Sequence, residues 1–325
     1  MKLSKLVTKP VAAVADIVNT PTSARVVVDA MFGKSLHETV TGRVVLITGA
    51  SSGIGEATAK RIAKAGGEVV LVARTRENLE RVADEIRGAG GVAHVYPCDL
   101  SDSAAIATMA DAVLADLGRV DILVNNAGRS IRRSLALSYD RIHDYERTMQ
   151  LNYLGAVQLI LKFVPGMRER GYGQIVNVSS IGVQTKVPRF GAYIASKAAL
   201  DTLCDSLQAE TIGDNVRFST VHMPLVRTPM ISPTKLYDHF PALTPEQAAD
   251  VLSGAIVHRS RRVSPAAGRV AAFADAVNPT LMDHVRGRGF RMFPDSTAAK
   301  GAPEVPKEPT PAEEIFINAT RGVHW

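Results

Sequence analysis

The sequence predicts a doubly wound α/β fold: a parallel sheet with helices on both faces, in a single domain with an extension at each end. From Gly42 onward, apolar strand-like runs alternate with amphipathic helical patterns, the signature of repeated βαβ units. The first two, Val44–Thr48 and Glu68–Ala73, carry uninterrupted apolar stretches rich in valine, as strands covered on both faces do. A chain of 325 residues with 46% apolar content is long enough to bury such a core.

Residues 1–40 read as an N-terminal extension. Leu3, Val7, Val11, Val14 and Val18 recur near helical spacing, Lys2, Lys5 and Lys9 lie mostly off that stripe, and Pro10 interrupts it. The stripe suits an arm packed on its own domain or on a neighbouring subunit. It also suits a surface helix making peripheral membrane contact. The main domain is expected over residues 41–297. Its strands are expected at Val44–Thr48, Glu68–Ala73, Ala93–Pro97, Asp121–Asn125, Gly173–Ser179 and Val216–His222, with a short last one near Arg262–Ser264. Helical patterns over Glu56–Ala65, Glu77–Arg87 and Ala104–Ala115 lie between them. Residues 298–325 form the third segment. Its proline-rich stretch, 301–312, predicts an extended linker, followed by a tail ending in His324 and Trp325.

Composition narrows the function classes. No run approaches the roughly 18 uninterrupted apolar residues a membrane span needs, and Val11–Ala15 is too short for a secretory core. Cys98 and Cys204 have neither disulfide-framework nor metal-ligand spacing, which predicts buried, reduced thiols in a cytoplasmic protein and no metal. A net charge of +6 with 5% aromatic residues, and no basic stripe interleaved with aromatics, argues against nucleic acid as a partner.

Thr48-Gly49-Ala50-Ser51-Ser52-Gly53-Ile54-Gly55 follows a strand and opens a helix. Glycines let the backbone approach phosphates, and the helix start supplies free N–H groups and partial positive charge. The spacing is G-x-x-x-G-x-G rather than the generic G-x-G-x-x-G. At the end of the second strand, where an acid would meet a ribose 2′-hydroxyl, the chain has Ala73-Arg74-Thr75-Arg76. Arg74 there favours a 2′-phosphate, hence NADP(H). Arg76 either joins it or is a solvated residue at a helix start. Asp99 is placed to accept from the adenine amino group with Leu100 beside the ring, and Asn126, Ala127 and Gly128 close the fourth strand with small residues against the cofactor.

Ser180, Tyr193 and Lys197 stand thirteen and four residues apart. Tyr193 and Lys197 at i, i+4 share one helix face. An ammonium beside the phenol is expected to lower its pKa from about 10 and suit it to proton transfer. Ser180 enters from a strand end to hydrogen-bond the reacting oxygen.

These residues, with T-G-A-S-S-G-I-G, C-D-L, N-N-A-G, Asn152 and Y-I-A-S-K, resemble the short-chain dehydrogenase/reductase superfamily over about residues 42–265. The resemblance implies that Ser180 orients the substrate oxygen and Tyr193 is the acid or base. It implies that Lys197 holds the nicotinamide ribose and that Asn152 anchors a water relay from Lys197. Val226 and Thr228 would meet the nicotinamide carboxamide, although Leu225 stands where the superfamily usually has glycine after Pro224. Dimers or tetramers are usual in the superfamily, so a homo-oligomer is implied.

A narrower resemblance, carried by G-R-S-I-R-R, E-R-T-M-Q-L-N-Y, P-L-V-R-T-P-M-I-S-P-T-K, F-P-D-S-T-A-A and the His-Trp end, is to bacterial long-chain fatty acyl-CoA reductases that form aldehydes. It implies a lipid-like substrate, acyl-CoA. Ketone, alcohol or β-keto lipid chemistry on the same residues is the alternative, and a non-catalytic NADP-binding scaffold is another. For a CoA substrate, Arg129, Arg132, Arg133, Arg189 and Arg227 are candidates to meet phosphates. Met230, Ile231, Leu236, Tyr237 and Phe240 are candidates to line an acyl channel. Cys204, in an apolar helical stretch, reads as core, and His222 as a satisfied core or rim histidine.

Overall fold

The computed structural model describes residues 34–232, 234–296, 298–300 and 310–319. Seven strands build one sheet: β1 (Val44–Thr48), β2 (Glu68–Ala73), β3 (Val92–Pro97), β4 (Ile122–Asn125), β5 (Gly173–Ser180), β6 (Val216–Met223) and β7 (Arg262–Val263). All are parallel, in the order β3-β2-β1-β4-β5-β6-β7. The order reverses between β1 and β4, the switch point at which the carboxyl ends of the strands open a crevice.

Alternation along each strand splits the core in two. Val45, Ile47, Val69 and Leu71 face one layer, which holds Ile62 of α2 (Gly53–Lys64), Leu79 of α3 (Arg76–Gly88) and Leu252 of α9 (Pro245–His258). Leu46, Val70, Leu123 and Phe218 face the other, with residues of α4 (Ser103–Leu117), α6 (Gly155–Glu169) and α8 (Gly191–Thr211). Both layers are built of buried apolar side chains, which accounts for the uninterrupted apolar runs of β1 and β2.

The body begins before residue 41, where the extension was expected to end. Ser35 and Glu38 form a capping box on α1 (Leu36–Val40), and Val40 is fully buried in the first core layer. The apolar stripe over Leu3–Val18 lies outside the described residues. At the other end, α10 (Ala266–Val277) and α11 (Pro279–Met292) precede α12 (Pro311–Ala319). The linker expected over 301–312 therefore gives way at Pro311 to a helix, and Ile317 of that helix packs with Phe240 and Phe293. His324 and Trp325 lie outside the described residues.

Candidate active site

The turn from β1 into α2 needs its glycines. Gly49 and Gly53 have φ of +66° and +57°, the left-handed region that side chains other than glycine rarely adopt. A Cβ on Gly55 would sit 2.2 Å from the Gly49 carbonyl oxygen, so only glycine lets α2 approach the turn this closely. Ser52 stands at the N-cap with no capping bond from its hydroxyl, Ser51 and Ile54 flank it, and the turn lies at the switch point. The opposite wall is tied down from β4. The Thr48 hydroxyl accepts from the backbone N–H of Asn126 (2.9 Å) and Ala127 (3.0 Å), and the Asn126 amide donates to the Thr48 carbonyl (2.9 Å). The residues fit a dinucleotide: a backbone cradle with no room for side chains, at a helix N-terminus.

Arg74 is exposed just past β2. It lies close enough to Asp99 for its charge, with that of Arg129, to add to the hydrogen bonds from Ser101 that hold the Asp99 carboxyl below the usual carboxylate range. Arg76 instead pairs with Glu80 at 3.3 Å on the surface of α3, the solvated role expected as its alternative. One support was not foreseen. Arg81 donates to the Ser51 carbonyl (3.3 Å) and pairs with Glu56 at 2.8 Å, while Lys60 bridges Glu56 and Glu85. The Arg81 bond is the largest cause holding Glu56 below its ordinary pKa. The i, i+4 spacings of Glu56–Lys60 and Arg81–Glu85 were visible, but their cross-pairing between helices was not.

At the tip of β5 the four expected catalytic residues converge. The Ser180 hydroxyl caps α7 (Ile181–Thr185), accepting from Gly182 N–H at 3.0 Å, and is hydrogen-bonded to the Tyr193 hydroxyl. The Lys197 ammonium is buried and donates to the Val178 carbonyl at 2.7 Å. A Cβ on Gly128 would lie 3.4 Å from Lys197 Nζ, which fixes that strand end beside the lysine. Asn152 sits in a π-helical turn, Gln150–Leu154, that runs from α5 (Ile142–Met149) into α6. Its amide accepts from Arg129 N–H (2.7 Å) and donates to the Arg129 carbonyl (2.9 Å) and to Ser196 Oγ (3.0 Å). Ser196 in turn donates to the Tyr193 carbonyl at 2.7 Å. Asn152 thus clamps the Gly128–Arg129 backbone to the Tyr193 helix. A small internal cavity between Thr48, Asn125, Asn152 and Lys197 lies directly behind.

The expected lowering of the Tyr193 pKa does not hold in this arrangement. Burial pushes the phenol up to about 12, and the Ser180 hydrogen bond offsets only part of that. Burial likewise lowers the Lys197 ammonium to about 8. The physical reason is that desolvation is the largest cause at both groups, while Lys197 turns its Nζ to the Val178 carbonyl.

After β6 the chain returns to the cradle. Leu225 accommodates the position usual for glycine with an ordinary negative φ, because its side chain is buried in an apolar cluster with Tyr237, Phe240 and Phe293. Val226 is bridged to Leu243, and Thr228 closes on the turn: a Cβ on Gly53 would come within 2.9 Å of its methyl. Thr228 therefore lies beside the cradle.

Four of the five arginines proposed for phosphates are spent on the protein itself. Arg132 donates to the Pro294 carbonyl (3.0 Å), Arg133 to the Ala299 carbonyl (3.2 Å) and Arg227 to the Phe240 carbonyl (3.1 Å). Arg189 is almost fully buried, pairs with Asp295 at 3.2 Å and stacks 3.9 Å over the Phe290 ring. Arg129 keeps its place near Asp99. Of the expected channel residues, Tyr237 and Phe240 are packed core, Ile231 borders them and Met230 is 45% exposed. The Leu236 side chain lies outside the described residues. Cys204 is core: burial pushes its thiol up to about 12, and it accepts from Asn177 at 2.9 Å. His222 is held between Asp201 (3.0 Å) and Ser264 (2.8 Å).

A glycine cradle at the switch point and a Ser–Tyr–Lys–Asn cluster gathered at the tip of β5 define an oxidoreductase. The chain belongs to the short chain dehydrogenase family, whose model matches residues 43–236. It is similar to an uncharacterised oxidoreductase of Mycobacterium tuberculosis (strain ATCC 25618 / H37Rv), 68% identical over 99% of this chain and 98% of the relative. A protein named fatty acyl-CoA reductase from Acinetobacter baylyi is 49% identical over 89% of this chain and 97% of that one. Among solved structures, a metagenomic short-chain oxidoreductase in complex with NADP is 36% identical with a TM-score of 0.59, covering 67% of this chain and 92% of that one. Among the described residues, no helix is long and apolar enough to cross a membrane.

Proposed function

We propose that the protein is an NADPH-dependent reductase that converts a long-chain fatty acyl-CoA into the fatty aldehyde. The observation that carries this reading is the hydrogen-bonded Ser180–Tyr193 hydroxyl pair, with Lys197 buried one helical turn away, at the mouth of the glycine cradle. Arg74 beside Asp99 supports a 2′-phosphate, as does the NADP complex of the structural relative. The name of the Acinetobacter relative supports the thioester.

Bound NADPH supplies the hydride. Ser180 and Tyr193 donate to the thioester carbonyl oxygen as it gains negative charge, a preorganised arrangement aimed at the transition state. A phenol held near 12 is fully protonated at neutral pH, so Tyr193 enters the step as the acid and gives its proton to that oxygen. Lys197 stabilises the phenolate left behind. The product is a thiohemiacetal. Its hydroxyl then returns a proton to Tyr193, the C–S bond breaks, and CoA leaves as the thiolate, giving the aldehyde. No acyl-cysteine is involved, because Cys204 is inert and Cys98, raised to about 11 by burial, is equally so.

The test is an assay of purified protein with NADPH against long acyl-CoAs, aldehydes and ketones, following nucleotide oxidation and free thiol together. One thiol released per NADPH oxidised is expected. Faster turnover of a ketone, with no thiol released from acyl-CoA, would overturn the thioester reading in favour of carbonyl reduction on the same residues.

A further inference from the structure

Three consecutive residues at the tip of β5 each hold one residue of α8 at helical spacing. Ser180 holds Tyr193, the Val178 carbonyl holds Lys197, and the Ser179 hydroxyl donates to Asp201 at 2.9 Å. The proposed mechanism uses Tyr193 and Lys197, the residues held by the first two of these contacts. The third continues the same helix face one turn further, since 193, 197 and 201 are spaced by four. His222 stands opposite Ser179 in the β5–β6 register and reaches the same carboxylate oxygen, Asp201 Oδ2, at 3.0 Å.

One direction of donation satisfies every bond in this cluster. Gln184 donates to Ser264 Oγ (3.3 Å), and Ser264 is 2.8 Å from His222 Nδ1. With Ser264 giving its proton to Nδ1, the neutral imidazole carries its hydrogen on Nε2 and donates to Asp201. The chain of bonds ends at a carboxylate, whose second oxygen, Oδ1, is buried with no hydrogen-bond partner. A carboxylate oxygen kept from water with no partner is expensive. It persists more readily where its charge is used.

We propose that Asp201, oriented by Ser179 and His222, is the positioning charge that keeps Lys197 an ammonium beside Tyr193. Among described residues, Lys197, Tyr193, Cys204 and Asp205 share its helix, and His222 faces it from β6. Arg261, from the segment entering β7, is engaged by Asp205 and the Cys204 carbonyl. No ion pair joins Lys197 and Asp201 directly, so the carboxylate acts through space across one helical turn. That separation leaves Nζ free to keep its bond to Val178. Burial opposes the charge on Lys197 and the field of Asp201 restores part of it. His222 is a clamp on this carboxylate, which gives a role to a histidine that takes no part in hydride or proton transfer. The inference rests on the oxidoreductase reading, but not on the thioester.

The experiment measures NADPH affinity by nucleotide fluorescence across pH 6–10 (about 6 to 10, spanning the range where a buried ammonium titrates), together with thermal unfolding, for full-length wild type and variants. Wild-type affinity is expected to weaken as pH rises through the Lys197 ammonium. In Asp201→Asn that weakening moves to lower pH by roughly one unit, the size expected for loss of one charge about a helical turn away. Asp201→Glu returns it towards wild type. Asp201→Ser, equally neutral, gives the same shift and serves if the asparagine variant does not fold. Unfolding temperatures that fall while the midpoint stays at the wild-type pH would overturn the proposal and leave Asp201 a purely structural residue. Failure of wild type to bind NADPH at any pH would instead sink the oxidoreductase reading itself.

Discussion

The tip of β5 and the loops leading into α5 and α8 both gather polar side chains, and they do so by opposite means. At β5 the partners are near in sequence: Lys197 reaches back 19 residues to Val178, and Asp201 reaches 22 to Ser179. In the loops before α5 and α8 they are remote: Arg132 meets Pro294 across 162 residues, Arg133 meets Ala299 across 166, and Arg189 meets Asp295 across 106. The first arrangement is written in helix periodicity. The second depends on where the chain's last hundred residues come to rest. The proposed chemistry rests on the local zipper, and the long-range arginines tie their loops to the C-terminal segment.

Breaking the remote region should therefore cost stability before chemistry. Arg189→Ala strands the partly buried Asp295 and removes the ring stack on Phe290. Loss of one partner of a buried pair costs about 3 kcal/mol, so thermal unfolding should shift down clearly while NADPH affinity of the folded fraction stays near wild type. A variant that kept its stability but lost acyl-CoA affinity would reassign Arg189 to the substrate.

A smaller effect sharpens the other side of the contrast. Arg74 is exposed and, among the described residues, makes no ion pair within bonding distance, so Arg74→Asp should leave stability unchanged. It should weaken NADPH binding roughly tenfold relative to NADH, the scale of one charge-assisted contact. Equal preference before and after the change, by titration with both nucleotides, would remove Arg74 from the site.

The same division explains what was legible in the sequence. Strands β1 and β2 fall at the residues expected, because uninterrupted Val-Val-Leu-Ile and Val-Val-Leu-Val runs leave little freedom in a doubly covered sheet. The Tyr193–Lys197 face and the glycine cradle were readable because each is a short spacing with one physical use, whereas Asn152 came only with the family resemblance. The arginines were not, since a guanidinium in a loop carries no local sign of whether it will meet a phosphate or a carbonyl. Nor was the Tyr193 pKa, because spacing places the ammonium near the phenol while burial, which spacing does not report, decides the sign. Helix α12 was hidden by its prolines: Pro311 opens the helix at a position where its missing N–H costs nothing.

Tyr193→Phe removes one oxygen and leaves the packing against Phe190 and the Ser180 cap in place. Following NADPH oxidation with a long-chain acyl-CoA in that variant is the shortest route to the centre of the account. Turnover should drop by about two to four orders of magnitude, the usual contribution of a positioned acid, with NADPH affinity within a few-fold of wild type. Turnover equal to wild type would mean the proton comes from elsewhere, and the reading of this site as a tyrosine-acid reductase would be wrong.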